Sequence, residues 1–336
     1  TCGDWDFFGS KNGQNSYAYR PDHGRWQLFT WDMNIIFGVS SSFAPGMGLF
    51  PPPGADWSEG PNLTKILDHP PFRRMYWRAY KELCNGPLAA TNINPYLDSR
   101  YNAFVADGLN TLSPDGAISF TDSQSKEYGT NVPFSGSIRS YLAQARQLIS
   151  QRLAAEDAAS FSVNGPASFT TNNNLAMFSG SAPVEIKTIT VNGQAYPVTW
   201  LTTSAWSMSV PLSVGVNHLV FQAWDIHGNL LPNFGQTISV NYTGATAPPE
   251  GSVVFNEIQS HPLTPGAEFV ELFNRATNAF DLSGWRINGL GYTFPTGALI
   301  APQGYLVLAK DWHDYASIYG FTSPPFGFFD GNLDPD

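Results

Sequence analysis

The side chains that could carry chemistry lie near the start of the sequence. Asp6 ends the run Gly3-Asp4-Trp5-Asp6, Asn15 begins a short strand-like run, and Asp32 follows Trp31 at the end of a second one. Carboxylate and amide oxygens are ligands for hard cations such as Mg²⁺. The same residue types also accept hydrogen bonds from backbone N–H groups in turns. The residues alone therefore leave cation-dependent chemistry and a purely structural role both open.

Other catalytic and metal-binding motifs are absent from the sequence. It contains no Gly-x-Ser-x-Gly elbow, no His-Glu-x-x-His zinc motif and no Walker phosphate loop. The six histidines are scattered without ligand spacing. Cys2 and Cys84 match no zinc-binding pattern, and one long-range disulfide or two buried free thiols are the alternatives for them.

The charge distribution argues against nucleic acid as a partner. Residues 1–158 hold 13 Lys/Arg and 15 Asp/Glu, whereas residues 159–336 hold 4 and 12, so most of the net charge of -10 lies in the second half. No basic run offsets it, and a phosphate backbone would be repelled. Only 13% of the residues are charged and 14% are aromatic, a composition that favours an extracellular protein.

Targeting signals are equally scarce. No apolar run of about 18 residues occurs, so we expect no membrane span in this chain. There is also no signal peptide. Because the chain begins at Thr1, we expect that a leader or a larger N-terminal region has been removed.

Helical periodicity is confined to the first half of the chain. One helix is predicted between Pro70-Pro71 and Asn85-Gly86-Pro87, others over about residues 137–155 and 94–105, and a hairpin over residues 15–30. The first helix is expected to bury one apolar face, made of Phe72, Met75, Tyr76, Ala79 and Leu83.

From about residue 161 the pattern changes to short alternating runs separated by Asn-Gly and Gly-Asn turns. Strands are predicted over residues 184–191, 206–210, 218–224 and 236–241. Such spacing predicts β-sandwiches. The predicted fold class is therefore multidomain, α+β followed by all-β. The predicted domains are residues 1–158, a sandwich over 159–244, a linker over 245–251 and a second sandwich over 252–336.

Five motif blocks stand in a fixed order in the first part. They are Gly3-Asp4-Trp5-Asp6, Asn15-Ser16-Tyr17-Ala18-Tyr19, Gly24-Arg25-Trp26, Trp31-Asp32-Met33-Asn34 and Phe37-Gly38. Together they resemble the CotH family of atypical kinases, which use ATP to phosphorylate secreted or surface proteins. The resemblance covers about residues 1–156 and starts in the middle of the family domain, so the lobe with the ATP-binding lysine would lie outside this chain.

The resemblance also implies roles for four residues. Asp6 is the candidate catalytic carboxylate, and Asn15 and Asp32 are candidate ligands of Mg²⁺. Asn34 stands at a third metal position, where the family usually has a second Asp, so one negative charge is lost there. ATP and Mg²⁺ are implied for the intact parent, and neither is expected to be bound in this fragment.

The later parts resemble two β-sandwich families. Ile189-Thr190-Val191-Asn192-Gly193 and Ala223-Trp224-Asp225 look like a bacterial immunoglobulin-like module, in which Asp225 is expected to stabilise a tight turn. Val254-Phe255-Asn256-Glu257-Ile258, Glu268-Phe269-Val270-Glu271-Leu272 and Asp281-Leu282-Ser283-Gly284-Trp285 resemble the lamin-tail domain. The lamin-tail domain, itself an immunoglobulin-like sandwich, is expected to be truncated, because strands that normally follow Leu333 are missing.

Three hypotheses follow for function. The first is a fragment of a secreted or cell-surface kinase whose substrate is another secreted or surface protein. The second is a non-catalytic surface or adhesive protein, in which the kinase-like part is a degenerate scaffold and the sandwiches self-associate. The third is carbohydrate binding by exposed Trp and Tyr on the sandwiches, although core aromatics are the commoner explanation of such residues.

Overall fold

The chain forms two compact units. The computed structural model describes residues 16–21, 27–30, 61–107, 138–245, 248–320 and 324–333. The first unit comprises Thr1–Ala159 with the loop Thr202–Ser204, and the second comprises Ser160–Leu201 with Ala205–Asp336. In the described part of the chain a hairpin and a group of helices precede the two sandwiches, which confirms the predicted fold class of α+β followed by all-β.

The first unit is a hairpin and a group of helices. Its described elements are β1 (Ser16–Tyr19), β2 (Gln27–Thr30), α1 (Pro61–Asp68), α2 (Pro70–Asn85), α3 (Ala90–Ala106) and α4 (Ile138–Glu156). The two strands are antiparallel. Most of the apolar face of α4 is buried as its periodicity predicts, since Tyr141, Leu142 and Ala145 pack against Leu97 of α3. Leu148 has the same helical spacing but is 38% exposed.

Helix α2 begins with two prolines, which suit the first turn because their missing N–H groups would have no intrahelical partner. It ends at Gly86, whose N–H donates to the Glu82 carbonyl at 2.8 Å. The predicted apolar face of this helix is wrong, because Phe72 is 48% and Met75 56% exposed.

The buried stripe of α2 consists instead of Arg74, Trp77, Arg78 and Cys84. Its spacing is helical, but two of its members are arginines, which a hydrophobic pattern does not count as core residues.

The second unit begins with a first sandwich over residues 160–245. Its strands are β3 (Ser162–Val163), β4 (Ser168–Thr171), β5 (Leu175–Ser181), β6 (Thr188–Val191), β7 (Gln194–Ala195), β8 (Thr199–Trp200), β9 (Ala205–Pro211), β10 (Gly215–Trp224) and β11 (Leu230–Tyr242). They form a five-stranded sheet in the order β4-β11-β10-β6-β7 and a four-stranded sheet in the order β3-β5-β9-β8.

Alternate residues of both sheets point into a shared core centred on Phe178, Trp206 and Phe221. The strands predicted over residues 206–210, 218–224 and 236–241 lie within β9, β10 and β11. The strand predicted over residues 184–191 starts only at Thr188, because the Ile186 N–H donates to the Pro183 carbonyl in a turn.

A second sandwich follows over residues 248–333. Its elements are β12 (Val253–Gln259), β13 (Phe269–Asn274), β14 (Phe280–Asp281), β15 (Arg286–Ile287), β16 (Tyr292–Thr293), β17 (Leu299–Ile300), β18 (Tyr305–Ala309), α5 (Trp312–Tyr319) and β19 (Gly327–Phe328). The main sheet has the order β12-β13-β18-β19, and β14-β17 and β15-β16 form two-stranded ladders.

Helix α5 was not predicted from the sequence. Asp311 caps its first turn, accepting hydrogen bonds from the N–H groups of His313 at 2.7 Å and Asp314 at 3.1 Å. Tyr315 and Tyr319 then meet the ring of Phe269 edge-on. The helix thus covers the end of the main sheet that carries Phe269.

The two sandwiches meet at a joint built from side-chain amides. The Asn174 amide donates to the Ala279 carbonyl at 2.7 Å and accepts from the Ala279 N–H at 2.9 Å, as a neighbouring strand would. The Asn278 amide donates to the Ala245 carbonyl at 2.9 Å and the Tyr242 hydroxyl at 3.1 Å. These bonds are directional, so they fix the orientation of one sandwich on the other.

Candidate functional site

The residues that the sequence singles out for catalysis fall outside the described part of the chain. Asp6, Asn15, Asp32 and Asn34 all lie there. The structure therefore does not test whether their oxygens converge, and their roles stay predictions.

The described hairpin leads to two of these residues. Ser16 is the register partner of Thr30, at the end of the hairpin opposite its turn. Ser16 follows Asn15 in the chain, and Thr30 precedes Asp32 by two residues. The two strand ends that connect to the predicted metal ligands are therefore neighbours in the ladder.

Helix α2 carries an unusual concentration of buried positive charge. Arg74 and Arg78 are 1% and 6% exposed and lie one helical turn apart. The pKa of Arg74 is lowered to about 9, mainly by burial and also by the charge of Arg78, while Asp157 acts in the opposite direction. Arg74 stays charged at neutral pH and donates to the Thr203 carbonyl, within the same unit.

The C-terminal end of α4 balances part of this charge. Arg73 donates to the Glu156 carboxylate at 2.7 Å. Lys81 donates to the Asp157 carboxylate, also at 2.7 Å, and the side chain of Asp157 is only 7% exposed. These two ion pairs fasten α2 to α4, so we interpret the basic stripe as structural. The sequence signal for it was the spacing of Arg74, Arg78 and Lys81, which is helical.

Cys84 lies in the same interface as a free thiol. It is 2% exposed and packs with Ile149, against which Tyr80 also lies. Burial raises the pKa of the Cys84 thiol, which keeps it protonated and unreactive at neutral pH. Cys2 lies outside the described residues.

Asp225 in the first sandwich stabilises a tight turn, as predicted. Its carboxylate accepts from the backbone N–H groups of His227 and Asn229, both at 2.8 Å, and from the Asn229 amide at 2.9 Å. The hydrogen bonds from Asn229 are the main cause of the lowered pKa of Asp225. With these donors facing it, the carboxylate is occupied by its own loop.

The carboxylates of the second sandwich also have protein partners. Glu271 accepts from the Asn256 amide at 2.7 Å, and Glu268 lies 3.7 Å from the Lys310 ammonium. Glu257 is the register partner of Glu271. Within the described residues, no group of three or more His, Cys, Asp or Glu could hold a metal ion.

Two family models match parts of the chain. Residues 1–122 match the model described as CotH kinase protein. Residues 246–322 match the model described as Lamin Tail Domain. The chain thus carries a segment similar to CotH kinase proteins, followed later by one similar to lamin tail domains. The resemblances to the CotH and lamin-tail families are thereby confirmed, and the resemblance of the first sandwich to a bacterial immunoglobulin-like module stays a prediction. The CotH segment includes Asp6, Asn15, Asp32 and Asn34, and the lamin tail match spans the second sandwich from its linker through α5.

Curated proteins and solved structures give no further family for the chain. No curated protein matches the chain. Among solved structures, the chain is similar to an endo-fucoidan hydrolase, MfFcnA9, from glycoside hydrolase family 107, with 13% identity over 54% of this chain and a TM-score of 0.17. The match spans 32% of that protein's chain, and the TM-score is too low to indicate a shared fold. No helix among the described residues is long and apolar enough to cross a membrane.

Proposed function

We propose that this chain is part of a secreted or cell-surface CotH-type protein whose intact form is an ATP-dependent kinase of extracellular proteins. The observation that carries the proposal is the CotH kinase match over residues 1–122, which contains the ordered Asp6, Asn15 and Asp32 motifs. In this proposal Asp6 orients the acceptor hydroxyl of the substrate protein, and Asn15 and Asp32 contribute oxygen ligands to Mg²⁺ on the phosphates of ATP.

The hairpin register supports a shared site. Because Ser16 pairs with Thr30, the segments leading to Asn15 and Asp32 start from adjacent backbone positions. Phosphoryl transfer depends mainly on positioning and charge neutralisation. Replacement of Asp6 or Asp32 by asparagine should therefore suppress phosphoryl transfer while leaving the size of the side chain unchanged.

The test measures transfer of the γ-phosphate of ATP to secreted proteins by the intact parent in Mg²⁺. Asp6→Asn and Asp32→Asn are expected to lower the rate by about 100-fold or more. Asp225→Asn is the matched control, since it removes one carboxylate from a turn in the first sandwich and should leave the rate unchanged. Wild-type activity in Asp6→Asn and Asp32→Asn would refute the assigned roles.

Asn34 offers a gain-of-function test of the same site. If Asn34 stands at a third metal position, Asn34→Asp adds a negative charge beside Mg²⁺ and should lower the Mg²⁺ concentration needed for half-maximal activity. Asn192→Asp, in an exposed turn of the first sandwich, adds the same charge elsewhere and should have no such effect. An identical Mg²⁺ requirement in all three proteins would remove Asn34 from the site.

A second candidate is a non-catalytic surface protein whose sandwiches associate with further copies of the chain. The low charge of the first sandwich favours it, because only Glu185, Lys187 and Asp225 are charged among residues 160–245. Little like-charge repulsion would then oppose contact between copies at this module. Light scattering after size-exclusion chromatography should then give a mass that rises with concentration, and a constant monomer mass at all concentrations would exclude this function.

A further inference from the structure

A groove of about 290 Å³ lies within the second unit, where the four-stranded sheet of the first sandwich faces the second sandwich. This volume is at the lower end of the range of small-ligand sites. The residues that define its chemistry are Met177, Thr199, Ser207, Ser209, Leu299 and Phe326. The first four come from the sheet, and the last two come from the second sandwich.

Three hydroxyl groups share the sheet side of the groove. Thr199 of β8 is the register partner of Ser207 of β9, so both side chains point to the same face. Ser209 lies two residues further along β9 and therefore on that face too, about 7 Å away. None of the three hydroxyls forms a hydrogen bond within the described residues. The groove thus presents three groups that can each donate and accept a hydrogen bond to a ligand.

The opposite side of the groove is apolar. Leu299 and Phe326 line it from the second sandwich. Met177, the register partner of Ser209, stands at the edge of the hydroxyl face with 78% of its surface exposed. Methionine is flexible and polarisable, so it adapts to irregular ligand surfaces. A ligand in the groove would contact hydroxyls on one side and apolar groups on the other.

Neither ions nor an added peptide strand suit this groove. No charged residue lines it, and the strands of both sheets of the first sandwich contain no Asp, Glu, Lys or Arg. The backbone of β9 is paired with β5 along its whole length on one side, and Trp206 and Ser207 are paired with β8 on the other. At Ser207 an extended peptide therefore finds no free backbone edge, which main-chain recognition requires.

We propose that the groove binds an uncharged glycan. A sugar ring presents hydroxyl groups at its rim and apolar C–H groups on its faces, which matches the two sides of the groove. The aromatic side chains in the core of the first sandwich do not serve this purpose, since Trp206 and Tyr242 are 0% and 1% exposed. The site is separate from the proposed kinase chemistry, and its test does not depend on phosphoryl transfer.

The experiment is affinity electrophoresis of the full chain in native gels that contain galactomannan, mixed-linkage β-glucan or dextran. Because the net charge is -10, the free protein migrates to the anode, and binding to an immobile polymer slows it. We expect retardation by at least one of these neutral polysaccharides and none by dextran sulfate. Unchanged mobility in all three, or retardation by dextran sulfate alone, would overturn the proposal.

Variants then assign the binding to the groove. Ser207→Ala combined with Ser209→Ala removes two hydrogen-bonding groups and should weaken binding about tenfold. Met177→Glu places a charge at the groove and should abolish retardation. Because the Met177 side chain is exposed, this substitution should leave the fold intact. Val216→Glu is the matched control, because Val216 is 63% exposed on the other sheet of the same sandwich. Equal retardation of Met177→Glu and Val216→Glu would place any binding outside the groove.

Discussion

Gly297 lies where the second sandwich contacts the backbone of the first. It adopts a φ of +83°, and a Cβ added to it would lie 2.3 Å from the Ala195 carbonyl oxygen and 3.0 Å from the Tyr196 Cα. Its N–H donates to the Ser283 hydroxyl at 2.8 Å, which holds this backbone in position. Because both obstructing groups are backbone atoms, a Gly297→Ala variant cannot relieve the clash by turning a side chain.

The cost of Gly297→Ala has two parts. Placing an alanine in the left-handed region costs about 1–2 kcal/mol. The clash adds about 1–3 kcal/mol, as overpacking in a dense interior does. Gly193→Ala isolates the first part, because Gly193 has a φ of +81° and nothing within 4 Å of an added Cβ. The difference between the two variants therefore measures the steric part alone.

The assay is thermal unfolding of both variants, with limited proteolysis between the sandwiches as a second readout. For a unit of this size, 1 kcal/mol lowers Tm by about 3 °C. Gly297→Ala should therefore unfold about 3–9 °C below Gly193→Ala. If the joint opens instead, the linker near residues 245–251 becomes the first cleavage site in Gly297→Ala only. Equal Tm values and equal cleavage of the two variants would show that the sandwiches do not touch at Gly297.

Three further predictions test the forces that hold each unit. Because the pKa of Asp225 is lowered in the folded state, its carboxylate stabilises the fold above the pKa of an unfolded Asp, and this stabilisation is lost as pH falls through the folded pKa. Thermal unfolding of Asp225→Asn at a series of pH values should lack this acid-dependent loss of Tm. Parallel pH profiles of Tm in the wild type and the variant would contradict the prediction. Lys81→Met leaves the largely buried Asp157 without its 2.7 Å partner and should destabilise the first unit by about 1–3 kcal/mol in urea unfolding, whereas Lys187→Met at an exposed site should change little. Gly180→Ala puts a Cβ 1.9 Å from the Ser162 carbonyl oxygen and 2.7 Å from the Trp206 ring, and it should cost about 1–3 kcal/mol by the same measurement; an unchanged midpoint would mean that strand β3 and the Trp206 ring can both move away from this position.

The sequence predicts the elements of this chain better than their buried faces. Most periodic apolar residues of α4 are buried as expected, namely Tyr141, Leu142, Ala145 and Ile149, because the hydrophobic effect acts directly on them. In α2 the buried stripe includes Arg74 and Arg78. Their burial depends on residues distant in sequence, such as Thr203 and Asp157, which no local pattern indicates. The strands beside Asn-Gly turns could be predicted for the same reason as helix α4, because their signal lies in neighbouring residues of the sequence.

The candidate sites divide in the same way. The CotH positions Asp6, Asn15, Asp32 and Asn34 could be named from motifs, because their spacing along the chain carries the signal. The groove could not, because Ser207 and Ser209 are ordinary outward residues of a strand. They become a candidate site only where Leu299 and Phe326, more than 85 residues later, form the facing side.

The amide joint makes that groove a fixed feature of the second unit. Asn174 supplies both a donor and an acceptor to Ala279, a residue 105 positions away, so separation of the sandwiches would break two hydrogen bonds at once. Gln194 adds a third link by donating to the Asp281 carboxylate at 3.2 Å. Each bond contributes about 0.5–1.5 kcal/mol, so together they oppose hinge motion by a few kcal/mol. A ligand in the groove would therefore meet a preformed site and would not have to order two mobile domains, which lowers the entropic cost of binding.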